Sequence, residues 1–146
     1  MRGSSVVQDV NGDGLSMKAQ TIRVVAGLVS KNGMLLVAQR SQNMSSAGKW
    51  EFPGGKVEAG ESDVSAIIRE LREELGVTVR PYEIVGGVLD SSSDPQIHLI
   101  GIRCSLESGT PRALEHAEVR WIHPDALIHL DLCRSDIALL EKLKPE

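Results

Sequence analysis

The chain has 146 residues, 41% of them hydrophobic, and a formal net charge of −4, which fits one domain with room for a real core. That negative balance gives no electrostatic footprint for polymeric nucleic acid, and the four aromatics, Trp50, Phe52, Tyr82 and Trp121, are too few for a stacking platform along a single strand. No stretch reaches the length of a membrane span, the first residues lack the apolar run of a secretory signal, and Cys104 and Cys133 form no metal-spaced pair; a cytoplasmic protein with reduced, buried thiols is the expectation.

Residues 1–17 are polar and glycine-containing and read as an N-terminal extension, flexible or added, before a single domain over residues 18–146. Asp9, Asn11, Asp13 and Gly14 imitate the start of a calcium-binding loop, but Gln20 stands where a bidentate glutamate is needed. Ile22 to Ser30 is a strand rich in Val and Ile. Asn32-Gly33 supplies the positive φ angles of a tight hairpin, and Met34 to Gln39 returns as the partner strand. A polar loop over residues 41–48 leads to a short strand from Lys49 to Phe52, which Pro53 ends. Gly54-Gly55 then allows close backbone approach to a ligand.

After a loop to Glu61, Ser62 is an N-cap, a helix runs to about Leu75 and Gly76 closes it in the left-handed conformation. Val64, Ile67, Ile68, Leu71 and Leu75 form its apolar stripe. On the remaining surface Glu70, Glu73 and Glu74 crowd one patch, each like-charge pair costing roughly 0.2–0.5 kcal/mol. A hard divalent cation with oxygen ligands would offset that cost; the alternative is a solvated acidic face balanced by Arg69 and Arg72.

Strand signals follow at Val77 to Val79 and Glu83 to Leu89, interrupted by Arg80-Pro81. Further strands lie at Ile97 to Leu106 and Val119 to Ile122, and one helical turn at Pro124 to Ile128. A final helix spans about Asp136 to Leu143, with Ser135 as cap and Ile137, Leu140 and Leu143 facing inward. Strands on both sides of a central helix, with a second helix at the end, predict an α/β fold whose mixed β-sheet is sandwiched between α-helices.

Gly55, Glu61, Arg69-Glu70-Leu71, Glu73-Glu74 and Gly76-Val77 stand at the spacing of the Nudix box, and the chain resembles that superfamily at every defined position of it. The likeness extends to Leu35 through Arg40, Trp50 through Lys56, Glu115-His116 ahead of Trp121, and Asp136-Ile137. It covers about residues 22–143 and looks like the MutT branch, closest to bacterial CTP pyrophosphohydrolases and enzymes that clear 8-oxo-dGTP. The resemblance implies the Nudix fold and metal-dependent hydrolysis of a nucleoside triphosphate, of the CTP/dCTP or 8-oxo-dGTP/dGTP type, to the monophosphate and pyrophosphate. Mg²⁺ is the implied cofactor and Mn²⁺ a substitute. The implied partner is a nucleotide alone, bound by a monomer or homodimer.

By the same resemblance Glu73 and Glu74 are the principal metal ligands and Glu70 is a ligand or the base that activates water. The Gly54 carbonyl adds an oxygen, and Glu115 is a further ligand or base, with Glu118 as a nearby competitor. Arg69 orients a glutamate and Glu61 holds Arg69, while His116 reads as structural. Arg40 and Lys56 are expected against phosphate. Glu51, Phe52, Pro53, Gly54 and Gly55 are expected near the nucleoside, with only one of Trp50 and Phe52 facing the ligand. Asp136 meets the base edge, where guanine, oxidised guanine and cytosine remain open; its other role is charge complementarity at a helix start.

Other readings are weaker. Pro95 lies late for the proline of ADP-ribose hydrolases, and Met44 stands where coenzyme A hydrolases carry an arginine. A non-catalytic Nudix regulator would usually lack box glutamates, and all are present here.

Overall fold

The computed structural model describes residues 21–143. The proposed extension over residues 1–17, the acidic segment from Asp9 to Gly14 and the outermost ends of the domain lie outside the described residues. Strand β1 (Thr21–Lys31) turns into β2 (Met34–Gln39) through Asn32 and Gly33, whose φ angles of 52° and 78° are those of the expected hairpin. Next come β3 (Trp50–Glu51), β4 (Gly54–Lys56), helix α1 (Asp63–Leu75), β5 (Thr78–Asp90), β6 (Gln96–Ser108) and β7 (Glu118–Ile122). A 3-10 helix (Pro124–His129) and α2 (Arg134–Leu143) complete the chain.

The sheet is mixed: β1 runs parallel to β6 over Thr21 to Ser30, and the other pairings of named strands are antiparallel. Strand β1 serves both faces and is therefore apolar almost throughout. Val25 and Val29 join Ile67, Leu71 and Leu75 of α1 in one core cluster. Ala26 and Leu28 join Leu127, Leu132 and Leu139 in a second, beneath α2 and the 3-10 helix. Burying side chains of this size stabilises the fold by roughly 1.5–3 kcal/mol each. The expected sandwich of a mixed sheet between helices is thus observed.

What positions the site is a split in the sheet. Strands β1 and β2 pair only at Ser30 to Lys31, beside their turn. Beyond that, β4 takes the edge of β1 opposite Val24 to Ala26, and β3 pairs with Ala38 and Gln39 of β2. The Gly27 N–H donates to the Pro53 carbonyl at 2.7 Å, so residues 50–56 are laced into the gap.

Several expectations change. Gly54 to Lys56 is a strand rather than a loop, and the missing side chain at Gly54 first serves the sheet, since a Cβ there would overlap the Val25 carbonyl. Strand β5 runs unbroken through Arg80-Pro81; it lies at the sheet edge and its pairing with β6 shifts register at that point, where a proline is tolerated. Trp50 and Phe52 do not diverge: both are buried in the cluster beneath α2, as residues two apart on a strand must be.

Helix α1 starts and ends as expected. The Ser62 side chain accepts from the Ser65 N–H, and Gly76 has φ 73°. Val64, however, is exposed, the stripe at that end having run past the sheet. In α2, Leu140 and Leu143 pack against the second cluster as expected, whereas Ile137 is exposed and the most enclosed residues are Asp136 and Leu139, in a helix that begins at Arg134. Ser135 is no cap: its hydroxyl donates to Asp90 at 3.2 Å. Of the two free thiols, Cys104 is buried and Cys133 only partly so.

Candidate active site

Helix α1 presents its glutamates to the split. Glu70 lies against Gly55 so closely that a Cβ on that glycine would overlap the carboxyl group. Arg69, one residue before, is a fork with many partners. It makes a bidentate pair with Glu61 at 2.7 and 2.8 Å, donates to Glu70 at 3.0 Å and Glu73 at 3.3 Å, and reaches the Lys56 carbonyl at 3.0 Å. The Glu61 N–H in turn donates to the Glu58 carbonyl, and Glu61's own carboxylate accepts from the Glu58 N–H at 3.0 Å. Hydrogen bonding to Arg69 pulls the Glu61 carboxyl down to about 2, and Glu61 raises the Arg69 pKa in return. The expected link from loop through Arg69 to Glu70 is therefore present, and planar bidentate geometry is what an arginine supplies and a lysine does not.

Among the described residues Glu74 is the buried glutamate, 8% exposed, and its Oε1 has no hydrogen-bond partner there. Burial raises its pKa most, followed by the charges of Glu70, Glu51 and Glu115. Four carboxyls from three parts of the chain thus act on one point, and a buried acceptor is left bare, which a fold does not ordinarily maintain. This donor set, all oxygen and with the Glu74 Oε1 left over, fits a hard divalent cation. Glu73 is more exposed and turns toward Arg69, while Glu115 lies on the exposed connection before β7.

Next to the glutamates is a cleft. One cavity of about 240 Å³ includes Gly54, Glu74 and Phe52 in its lining, and a larger one of about 470 Å³ includes Lys56, Asp90, Cys133 and Arg134. Their walls share Val24, Arg40, Glu51, Gly55, Leu99 and Asp136, so the two are compartments of one depression. Arg40, expected against phosphate, is engaged by protein: Nη1 donates to Glu51 at 2.7 Å, and its other nitrogens reach the carbonyl and hydroxyl of Ser45. Asp136 is buried at the cleft floor, where its Oδ1 accepts the Phe52 N–H at 3.1 Å. Burial, then the charge of Glu51, pushes its carboxyl up to about 8.

Among the described residues, a compact trio of possible metal-ligand atoms is formed by Glu51, Cys133 and Asp136, off the glutamate helix. A thiol suits a hard ion poorly and Glu51 already has two partners, so the Glu70 and Glu74 side of the cleft is the better cation site. The structure brings Arg69, Glu70, Glu74, Glu51, Phe52, Gly54, Gly55, Arg40 and Asp136 to one region, with Lys56 on the rim of the larger cavity. Pro53 is buried and acts through its carbonyl on β1. Sequence reasoning missed the cleft walls Val24, Ile97 and Leu99 and the rim residues Asp90, Ser93 and Arg134. The wall residues read as ordinary apolar strand positions, and the only hint at the rim was the Ser-rich loop from Asp90 to Asp94.

Comparisons with known proteins identify relatives of the whole domain. A family model described as NUDIX domain matches residues 19–143. A protein of Escherichia coli K12 named CTP pyrophosphohydrolase is 41% identical over 120 residues, covering 82% of this chain and 89% of its own. A Mycobacterium tuberculosis H37Rv protein named putative 8-oxo-dGTP diphosphatase 2 is 39% identical over 114 residues, covering 77% and 81%. Among solved structures, the solution structure of the E. coli ORF135 protein superposes with a TM-score of 0.75 at 38% identity, covering 89% of this chain and 92% of that one. The MutT protein of Methanosarcina mazei Go1 gives 0.76 at 28% identity, covering 85% and 93%.

Proposed function

Since the chain belongs to the NUDIX family and is a hydrolase of the MutT type, we propose that it converts a nucleoside triphosphate to the monophosphate and pyrophosphate with a divalent ion at its glutamate cluster. The substrate is of the CTP/dCTP or 8-oxo-dGTP/dGTP type, as the names of its relatives suggest. The observation that carries this reading is the buried, partnerless Oε1 of Glu74, surrounded by the charges of Glu70, Glu51 and Glu115. Glu70, Glu73, Glu74, Glu115 and the Gly54 carbonyl would hold Mg²⁺, with Mn²⁺ as a substitute. Bound there, the ion would neutralise phosphate oxygens and acidify a water.

The chain's own residues do the rest. Arg69, held by Glu61, fixes the Glu70 carboxylate against Gly55, where it holds the ion or takes a proton from the attacking water. The cleft between Gly54 and Asp136 takes the nucleoside, its combined compartments having the size of small-molecule sites, roughly 300–1,000 Å³. Glu51 and Asp136 offer polar atoms to a base edge from an otherwise apolar floor of Val24, Phe52 and Leu99. Lys56 faces the phosphates from the rim.

The test is Glu74→Gln and, separately, Glu70→Gln, assayed with Mg²⁺ for pyrophosphate release. Loss of turnover in a folded variant is expected. Wild-type turnover in both would remove the cluster from the reaction.

A further inference from the structure

We infer that His116 is a positioning residue for the nucleotide cleft, acting through Glu51 rather than on substrate or metal. The inference rests on the cleft being the nucleoside site. The segment carrying His116 bridges the two halves of the site. Arg112 N–H donates to the Leu75 carbonyl at 3.0 Å and Leu114 N–H to the Glu74 carbonyl at 3.2 Å, so it begins on the end of α1. It finishes on β2, where Ala117 N–H donates to the Gln39 carbonyl at 2.9 Å. Between these anchors Glu115 is exposed, with its charge still felt by Glu74, and the His116 side chain is enclosed, 0% exposed.

Among the described residues the buried ring has one hydrogen-bond contact: Nε2 lies 2.8 Å from Glu51 Oε2, and Nδ1 has no partner there. An ionised carboxylate only accepts, so the contact assigns the proton to Nε2 and leaves a bare lone pair on Nδ1. A bare buried nitrogen is a disadvantage that a leucine of similar size would avoid. Packing alone therefore does not explain a histidine here; the donor to Glu51 does. Nor does the ring offer a ligand to a cation in the cleft, since Nε2 is taken by Glu51 and Nδ1 is enclosed.

Glu51 needs that donor. Its Oε1 is held by Arg40 at 2.7 Å, and among the described residues His116 is the hydrogen-bond donor to Oε2. Acidic and thiol groups crowd Glu51: Cys133 and Asp136, whose ligand atoms lie with those of Glu51 within 4.8 Å of one another, and Glu74, which feels its charge. Without His116, Arg40 at Oε1 is left as the one hydrogen-bonded partner of this carboxylate among the described residues, and the carboxylate is free to turn on that contact. Glu51 lines both compartments, so its rotation changes the wall that a nucleoside meets. Arg40 would shift with it, along with the Ser45 loop that it grips. His116 thus sets the shape and polarity of the nucleoside wall from behind.

His116→Gln keeps an N–H near the Nε2 position, and His116→Leu removes it. Each is compared with wild type for melting temperature, for kcat and KM on CTP and 8-oxo-dGTP with saturating Mg²⁺, and for binding of CMP and 8-oxo-dGMP without metal. His116→Leu is expected to raise KM for the better substrate about tenfold and to weaken its monophosphate in parallel, with kcat changed less than about threefold, the signature of lost ground-state positioning. His116→Gln should recover most of that loss. A folded His116→Leu with unchanged KM and monophosphate affinity overturns the inference, as does a Gln variant as impaired as the Leu variant. If the Leu variant does not fold, His116→Asn, which moves the donor out of reach of Glu51, takes its place with the same expectation. Absence of pyrophosphate release by wild type would contradict the proposed reaction instead, and monophosphate affinity would still test His116.

Discussion

Gly55 and Glu70 are in direct apposition: the bare Cα of the glycine in β4 is the surface on which the glutamate carboxylate of α1 rests. A methyl group there must move either the carboxylate or the strand. Because Glu70 is also tied to Arg69 at 3.0 Å, the displacement would pass along the helix. Gly55→Ala should remain folded, lose roughly 1–3 kcal/mol of stability from the overpacking, and drop kcat by roughly 10²-fold, the loss that a misplacement of about 1 Å can cause. Denaturant titration beside steady-state kinetics checks both, and a stable variant with normal kcat would mean that Glu70 can work from another position.

The Glu61–Arg69 pair predicts an acid-sensitive contribution to stability. Hydrogen bonding to Arg69 depresses the folded-state pKa of Glu61 from the ordinary 4.5 to about 2. A depressed carboxyl stabilises fully above its unfolded value, and that contribution disappears as pH falls from 4.5 toward 2. Glu61→Gln should therefore be less stable than wild type near neutrality, and the gap should narrow on acidification through that window. Urea melts at successive pH values read it directly. Arg69→Lys should behave similarly and also lose activity, since an ammonium cannot pair with Glu61, Glu70 and the Lys56 carbonyl at once.

Asp136 predicts the opposite slope. Its folded-state pKa is raised from 3.8 to about 8, so between those values the folded chain holds a proton that the unfolded chain releases. Wild-type stability should then decline as pH rises from 4 to 8, and Asp136→Asn should gain on wild type across the same interval. The amide also changes the hydrogen-bonding character at the cleft floor. Base preference among CTP, dCTP, dGTP and 8-oxo-dGTP should shift more than the best kcat; an unaltered preference would remove Asp136 from base recognition.

Glu74 predicts a metal-linked stability. In wild type, saturating Mg²⁺ should raise the melting temperature, with about 2.7 kcal/mol of stabilisation when the free ion is a hundred times its Kd. Glu74→Gln removes a carboxyl whose ionisation is disfavoured by burial and by the charges of Glu70, Glu51 and Glu115. It should melt no lower than wild type in the presence of chelator, and it should lose most of the response to Mg²⁺. A full response in this variant would place the ion elsewhere.

Much of this was legible before any coordinates, for local reasons. Asn32-Gly33, Ser62 and Gly76 each specify a backbone conformation by their own chemistry, and the helix between the last two had a clear period. What escaped was what depends on distant neighbours. Pro81 marked a break when read locally, but an edge strand can carry it. Gly54-Gly55 suggested ligand approach, whereas its nearest obligations are to the Val25 carbonyl and the Glu70 carboxylate. In α2, Leu140 and Leu143 pack inward as their spacing suggested, but Ile137 is exposed and Asp136 and Leu139 are the buried residues, which depends on how the helix lies on the sheet. In the site, the spacing of Arg69, Glu70 and Glu74 on one helix was readable. The chain Arg40–Glu51–His116 was not, since its members come from three segments up to 76 residues apart (116 − 40) that meet only at the split in the sheet.

The most direct measurement is a nucleotide panel incubated with the purified chain and Mg²⁺, with pyrophosphate and orthophosphate quantified separately alongside the nucleotide product. The expected result is equimolar monophosphate and pyrophosphate, without orthophosphate, from a cytidine or 8-oxoguanine nucleoside triphosphate, and none after chelation. Orthophosphate and diphosphate as the first products, or tight nucleotide binding with no cleavage across the panel, would contradict it.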